Sequence, residues 1–87
     1  MFLSQTFAAL SDNNRLKVLD ALKKGEQPVS DIAKELDITL ATLSHHLDIL
    51  KRSGLISSRR SGRQMLYSLN LSVMEEAAKS IAKLLNK

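Results

Sequence analysis

Arg59, Arg60 and Arg63 crowd around a Ser61-Gly62 step, with Lys51 and Arg52 shortly before them. Between Asp48 and Glu75 the chain carries these five basic residues and no carboxylate. Elsewhere charge nearly cancels. Residues 1–54 hold 7 basic and 7 acidic side chains, so of the net charge of +4, three units come from residues 55–70 and one from 71–87. A local guanidinium excess without acids suits a polyanion, although a solvated basic face has the same composition. Just upstream, Thr39, Thr42, Ser44 and His45 can donate or accept hydrogen bonds, while Leu40 and Ala41 can make only apolar contacts. His45 and His46 also invite a metal. Adjacent helical residues point about 100° apart and do not readily share one ion, and the chain has no cysteine and no third histidine. Catalysis fares no better: Ser44-His45 is too tight in sequence for a nucleophile–base pair, and there is no glycine-rich phosphate loop or carboxylate pair.

These groups need elements to hold them. Phe2, Leu3, Phe7 and Leu10 predict a first short helix over 2–10. Ser11 or Asp12 can cap a second, with Leu16, Val18, Leu19 and Leu22 as a broad apolar face, closed by Gly25 after Lys23 and Lys24. Pro28 separates it from a third helix capped by Ser30, with Ile32, Ala33 and Leu36 inward. Thr39 caps a fourth, from Leu40 to about Ser53, on which Leu43, Leu47 and Leu50 share one face. After Gly54 the period changes to two. Leu55–Arg60 and Arg63–Leu69 predict a hairpin around Ser61-Gly62, with Met65, Tyr67 and Leu69 on one face. Asn70 or Ser72 opens a last helix over 72–86. The expected fold is therefore mainly α with a small β-hairpin, one domain over 1–87.

The stretch from Ile32 to Leu47 has the spacing of a helix-turn-helix. Ala33 lets the helices approach, Asp37 takes the left-handed turn position, Ile38 fills the turn, and Leu36, Leu43 and Leu47 form the shared core. On the second helix Ala41, His45, Asp48 and Arg52 then point outward, with Leu40 and Ser44 on one flank and Thr42 and His46 on the other. The amino-terminal end of such a helix suits a DNA major groove. Thr39 and the free N–H groups can instead hold a phosphate. His46, at the edge of the core face, reads as a packed, hydrogen-bonded side chain. Lys51 and Arg52 can reach backbone phosphates, and Arg59, Arg60 and Arg63 can grip phosphate or the minor groove. Asp48 repels phosphate and belongs outside the contact zone.

Ala9-Leu10-Ser11-Asp12 with Arg15-Leu16-Lys17-Val18-Leu19, then Leu43-Ser44-His45-His46-Leu47 with Leu50-Lys51 and Gly54-Leu55-Ile56, and finally Arg59-Arg60-Ser61-Gly62-Arg63 with Tyr67-Ser68-Leu69, together resemble the ArsR/SmtB family of bacterial winged-helix repressors. The resemblance implies a winged helix-turn-helix that dimerises through its first and last helices. It also implies where metal ligands would fall, and they fail. The cysteine pair of arsenic and lead sensors falls on Pro28 and Ser30, and the last-helix set of zinc sensors on Leu71, Val73, Leu84 and Lys87. The chain is thus similar to the metal-independent, SdpR-like branch, with no cofactor and no known effector.

The last helix argues for self-association on its own. Val73, Met74, Ala77, Ala78, Ile81, Leu84 and Leu85 spread over more than one face, more apolar surface than a short chain can cover. With Phe2, Leu3 and Phe7 they are the expected dimer interface. A dimer sets two recognition helices roughly 34 Å apart, on successive major grooves of a near-palindrome. The sequence expectation is a cytoplasmic repressor of double-stranded DNA with no membrane insertion, since no signal peptide or spanning segment is evident. The alternative is a winged-helix module, such as an antitoxin or anti-activator, that binds protein first.

Overall fold

The computed structural model describes residues 2–86, and side chains from Ser4 onward. Its elements are α1 (Phe2–Leu10), α2 (Asn13–Leu22), β1 (Gln27–Pro28), α3 (Val29–Leu36), α4 (Leu40–Arg52), β2 (Ile56–Ser61), β3 (Gln64–Leu69) and α5 (Leu71–Leu85). The core is a wedge of branched side chains contributed by α2, α3, α4 and the start of β2: Val18, Leu19, Leu22, Ile32, Leu43, Leu47, Leu50, Leu55 and Ile56 are all buried. Leu16, expected on the apolar face of the second helix, is 45% exposed, and Phe7, expected at the dimer interface, is 43% exposed in the single chain. On α1 the buried face is Thr6 and Ala9, small residues that let this helix lie close to α2.

Local chemistry sets the helix boundaries. Asp12 caps α2 by accepting the N–H groups of Asn14 and Arg15 at 2.8 and 3.2 Å. Helix α3 begins one residue before Ser30, with Pro28 in the cap position and no side-chain cap. Proline supplies the extended geometry needed there, and its missing N–H is one the helix would not use. Asp37 ends α3 with φ 54°, the only positive φ outside glycine among the described residues. Aspartate tolerates this left-handed geometry better than most residues. The Ile38 N–H then returns to the Ala33 carbonyl at 3.2 Å, which closes the turn.

The wing holds two corrections. Ser61 pairs with Gln64, so the two-residue loop is Gly62-Arg63 rather than Ser61-Gly62. Gly62 has φ 62° at the first central position, which a II′ turn requires, and Arg63 lies at the tip instead of in the strand. The sheet also gains a third strand: β1 pairs antiparallel with β3, giving the order β1-β3-β2. Pro28 is tolerated because β1 is an edge strand.

The molecule measures 48 × 22 × 22 Å with a radius of gyration of 13.4 Å. A compact chain of this length would have about 12 Å, and the carboxy-terminal half of α5, solvent-exposed along most of its surface, is part of the excess. Val73, Met74 and Ala77 pack on the chain's own core, whereas Leu84 and Leu85 are 64% and 79% exposed.

Candidate nucleic-acid interface

Helix α4 is anchored from behind and bare in front. Leu43, His46, Leu47 and Leu50 are buried, while Leu40, Ala41, Thr42, Ser44, His45, Asp48, Lys51 and Arg52 are exposed. Thr39 caps the helix. Its hydroxyl accepts the Thr42 N–H at 3.1 Å and donates to the Thr42 hydroxyl at 3.0 Å. The sequence-expected contact residues from Thr39 to His45 thus fall together on the outer surface of the first two turns.

The anchor behind α4 is a polar knot. His46 is 6% exposed, with Nδ1 3.4 Å from a guanidinium nitrogen of Arg15 and 3.9 Å from an Asp12 carboxylate oxygen. Arg15 also donates to the Ala9 and Ala8 carbonyls at 2.7 and 3.1 Å, at the end of α1, where the Ser11 hydroxyl also donates to Ala8 at 2.7 Å. Partial desolvation pushes the Asp12 carboxyl up, but the N–H bonds from Arg15 and Asn14 and the charges of His46 and Arg15 outweigh it and hold it below its usual range. Arg15 therefore links the first helix, the second helix and the back of α4. Its role was not legible in the sequence, because its partners lie at the end of α1 and 31 residues downstream.

Gly54, with φ 82°, turns α4 into the wing, and Leu55 closes the step by donating to the Leu50 carbonyl at 3.1 Å. Arg60 and Arg63 are exposed and hold no ion pair among the described residues. Arg59 departs from expectation. Its guanidinium makes a bidentate pair with Glu26 at 2.7 and 2.8 Å, across the sheet from just before β1. That pair holds the Glu26 carboxyl below its ordinary range. Arg59, expected to meet phosphate, is thus held by Glu26 on the exposed side of the sheet. Arg52, also expected to reach phosphate, is similarly paired with Asp48 one turn earlier, an exposed pair in which the acid offsets the guanidinium charge.

The expected dimer residues divide. Ala77 is only 5% exposed within the single chain, and Val73 and Met74 pack against the core, so these three serve the chain's own fold first. Ala78, Leu84, Leu85 and Phe7 remain exposed, and Ile81 half-exposed. The side chains of Phe2 and Leu3 lie outside the described residues. Among the described residues no group of three or more His, Cys, Asp or Glu converges as a metal site. No helix among them is long and apolar enough to cross a membrane.

Residues 12–58, more than half of the chain, match the family described as "Bacterial regulatory protein, arsR family". The chain belongs to the ArsR family. That family is one of regulators, not enzymes. This ArsR-family chain is 39% identical to the transcriptional repressor SdpR of Bacillus subtilis over 85 residues, covering 98% of this chain and 94% of that one. An ArsR-like transcriptional regulator from Rhodococcus superposes with a TM-score of 0.87 at 29% identity, over 95% of this chain and 78% of that one. The homodimeric winged helix-turn-helix DNA-binding domain of Mb0332 from Mycobacterium bovis superposes with a TM-score of 0.78 at 32% identity, over 97% of this chain and 75% of its own. The architecture is the winged helix-turn-helix of ArsR structures, with β1 as a short third strand.

Proposed function

We propose that this ArsR-family protein is a homodimeric transcriptional repressor that binds a near-palindromic duplex operator through α4 and the wing, without metal sensing. One observation carries the reading. The helix after the turn leaves its short side chains from Thr39 to His45 uncovered and runs through Gly54 into a hairpin that carries Arg60 in β2 and Arg63 at its tip, neither in an ion pair among the described residues. Short side chains let a helix enter a major groove, and guanidinium groups beside it neutralise phosphate. Arg60 and Arg63 hold the duplex, Lys51 adds a charge, and Ser44 and His45 read base edges. Arg59 stays with Glu26 and acts as a brace.

Dimerisation is supported by the spacing on α5. The exposed and half-exposed side chains Leu71, Ala78, Ile81 and Leu85 fall at spacings of seven, three and four on α5, with Leu84 at their edge, a seam for a helix pair. Leu71 and Leu85, at its ends, are 64% and 79% exposed. A two-fold pairing of this seam, with Phe7 of α1 beside it, places two α4 helices on one face of DNA. The homodimeric state of Mb0332 and the repressor named among the relatives agree with this. Binding to chromosomal operators makes the working compartment the cytoplasm.

The test is selection of bound duplexes from a random pool at near-physiological salt. The expected product is an inverted repeat with half-site centres about one helical turn, ~34 Å, apart. No enrichment, with binding insensitive to salt, would replace this reading with a protein-binding module.

A further inference from the structure

The first turn of α4 has an unusual front. Its two threonine hydroxyls bond each other, and that of Thr39 also accepts the Thr42 N–H. Between them stand an isobutyl group and a methyl group: Leu40 is 55% exposed and Ala41 is exposed. Leu40 is not one of the partly buried hydrophobics that pack against the core, and it lies on α4 rather than on α1 or α5. One turn on, Ser44 follows Leu40 at i+4 and His45 follows Ala41 at i+4, and both are exposed. The helix thus presents two parallel ridges, each with an apolar group at its tip and a hydrogen-bonding group about 6 Å behind.

In a major groove the base-pair edge that rewards an apolar group is the C5-methyl of thymine. Resting on the DNA-binding reading above, we propose that the operator is read in part through thymine methyls, with Leu40 as the specificity-determining side chain and Ala41 beside it. Each half-site then carries a thymine within one or two base pairs of the pair read by Ser44 or His45, because about 6 Å along the helix spans one to two steps of the duplex. A leucine at this position discriminates by shape and dryness. It rejects cytosine, whose C5 bears only hydrogen and whose amino group would be desolvated against it.

The experiment takes the inverted repeat from the random-pool selection and replaces its thymines one at a time, in both half-sites, by deoxyuridine. This removes the methyl and keeps the pairing. With the wild-type protein, at least one symmetric replacement should weaken binding about 16-fold, from about fourfold per methyl in each half-site. Leu40→Ala should bind the thymine site more weakly and bind the thymine and uracil sites alike. Leu40 is exposed, so the variant keeps its fold, which thermal unfolding confirms. Uracil tolerated at every position overturns the proposal while leaving DNA binding intact. A methyl effect undiminished in Leu40→Ala overturns the assignment to Leu40. Failure to select any duplex sinks the DNA-binding reading itself, and this inference with it.

Discussion

Leu84 and Leu85 stand at the free end of α5, 64% and 79% exposed in the single chain. Full burial of a leucine side chain stabilises by about 1.5–3 kcal/mol. With most of that surface still wet, burial in a dimer should yield about 1–2 kcal/mol for each of them. Two-fold symmetry applies each substitution twice, so Leu84→Ala or Leu85→Ala should cost the dimer about 2–4 kcal/mol, or about 30- to 700-fold in its dissociation constant. Alanine keeps the helix, and neither leucine touches the core, so far-UV circular dichroism should not change. Sedimentation equilibrium over a range of concentrations reads the constant directly. A dimer whose constant is unchanged in both variants would refute the placement of the interface on α5. A wild-type chain that stays monomeric at tens of micromolar would refute the reasoning as a whole.

Three further outcomes are expected. Arg60→Ala and Arg63→Ala should each weaken binding to all duplexes and lower the slope of log affinity against log salt by about 1.8, from about 0.9 for the phosphate lost in each half-site, measured by fluorescence anisotropy; unchanged slopes would remove the wing from the interface. Glu26→Gln should release Arg59 and steepen that slope. In the wild type the Glu26 carboxyl is held low by the hydrogen bond from Arg59, against partial desolvation and with the help of the Arg59 charge. Its contribution is therefore present above the ordinary carboxyl value of about 4.3 and is lost as pH falls through the lower folded value. The variant should show a flatter acid limb in a plot of stability against pH. Asp37→Val puts a β-branched residue at φ 54° and should destabilise by about 1–2 kcal/mol, seen as a drop of roughly 4–16 °C in midpoint at fixed protein concentration.

Much of the site was legible because its determinants are local. Thr39 as cap, Asp37 in the turn, Ile38 filling it and His46 on the packed side all follow from residue type and a period of 3.6. What escaped depends on partners distant in sequence. Two residues of β1 cannot show a period of two, so Pro28 read only as a break. Glu26 and Arg59 are 33 residues apart and meet only because β1 lies beside β3. The hairpin slipped by one residue because either two-residue window containing Gly62 suits a tight turn, and only the Ser61–Gln64 pairing decides between them. On α5 the apolar arc is wide enough for two seams, and composition alone could not assign Ala77 to the core and Leu85 to solvent.

The surface that meets DNA is read directly by an amide chemical-shift map. The labelled protein would be titrated with a selected duplex and, separately, with an unrelated one. The predicted result is perturbation by the selected duplex concentrated at residues 39–45 and at the Gly62-Arg63 tip, with α5 unmoved at dimer concentrations. Perturbation confined to α1 and α5, or identical weak shifts with both duplexes, would contradict it.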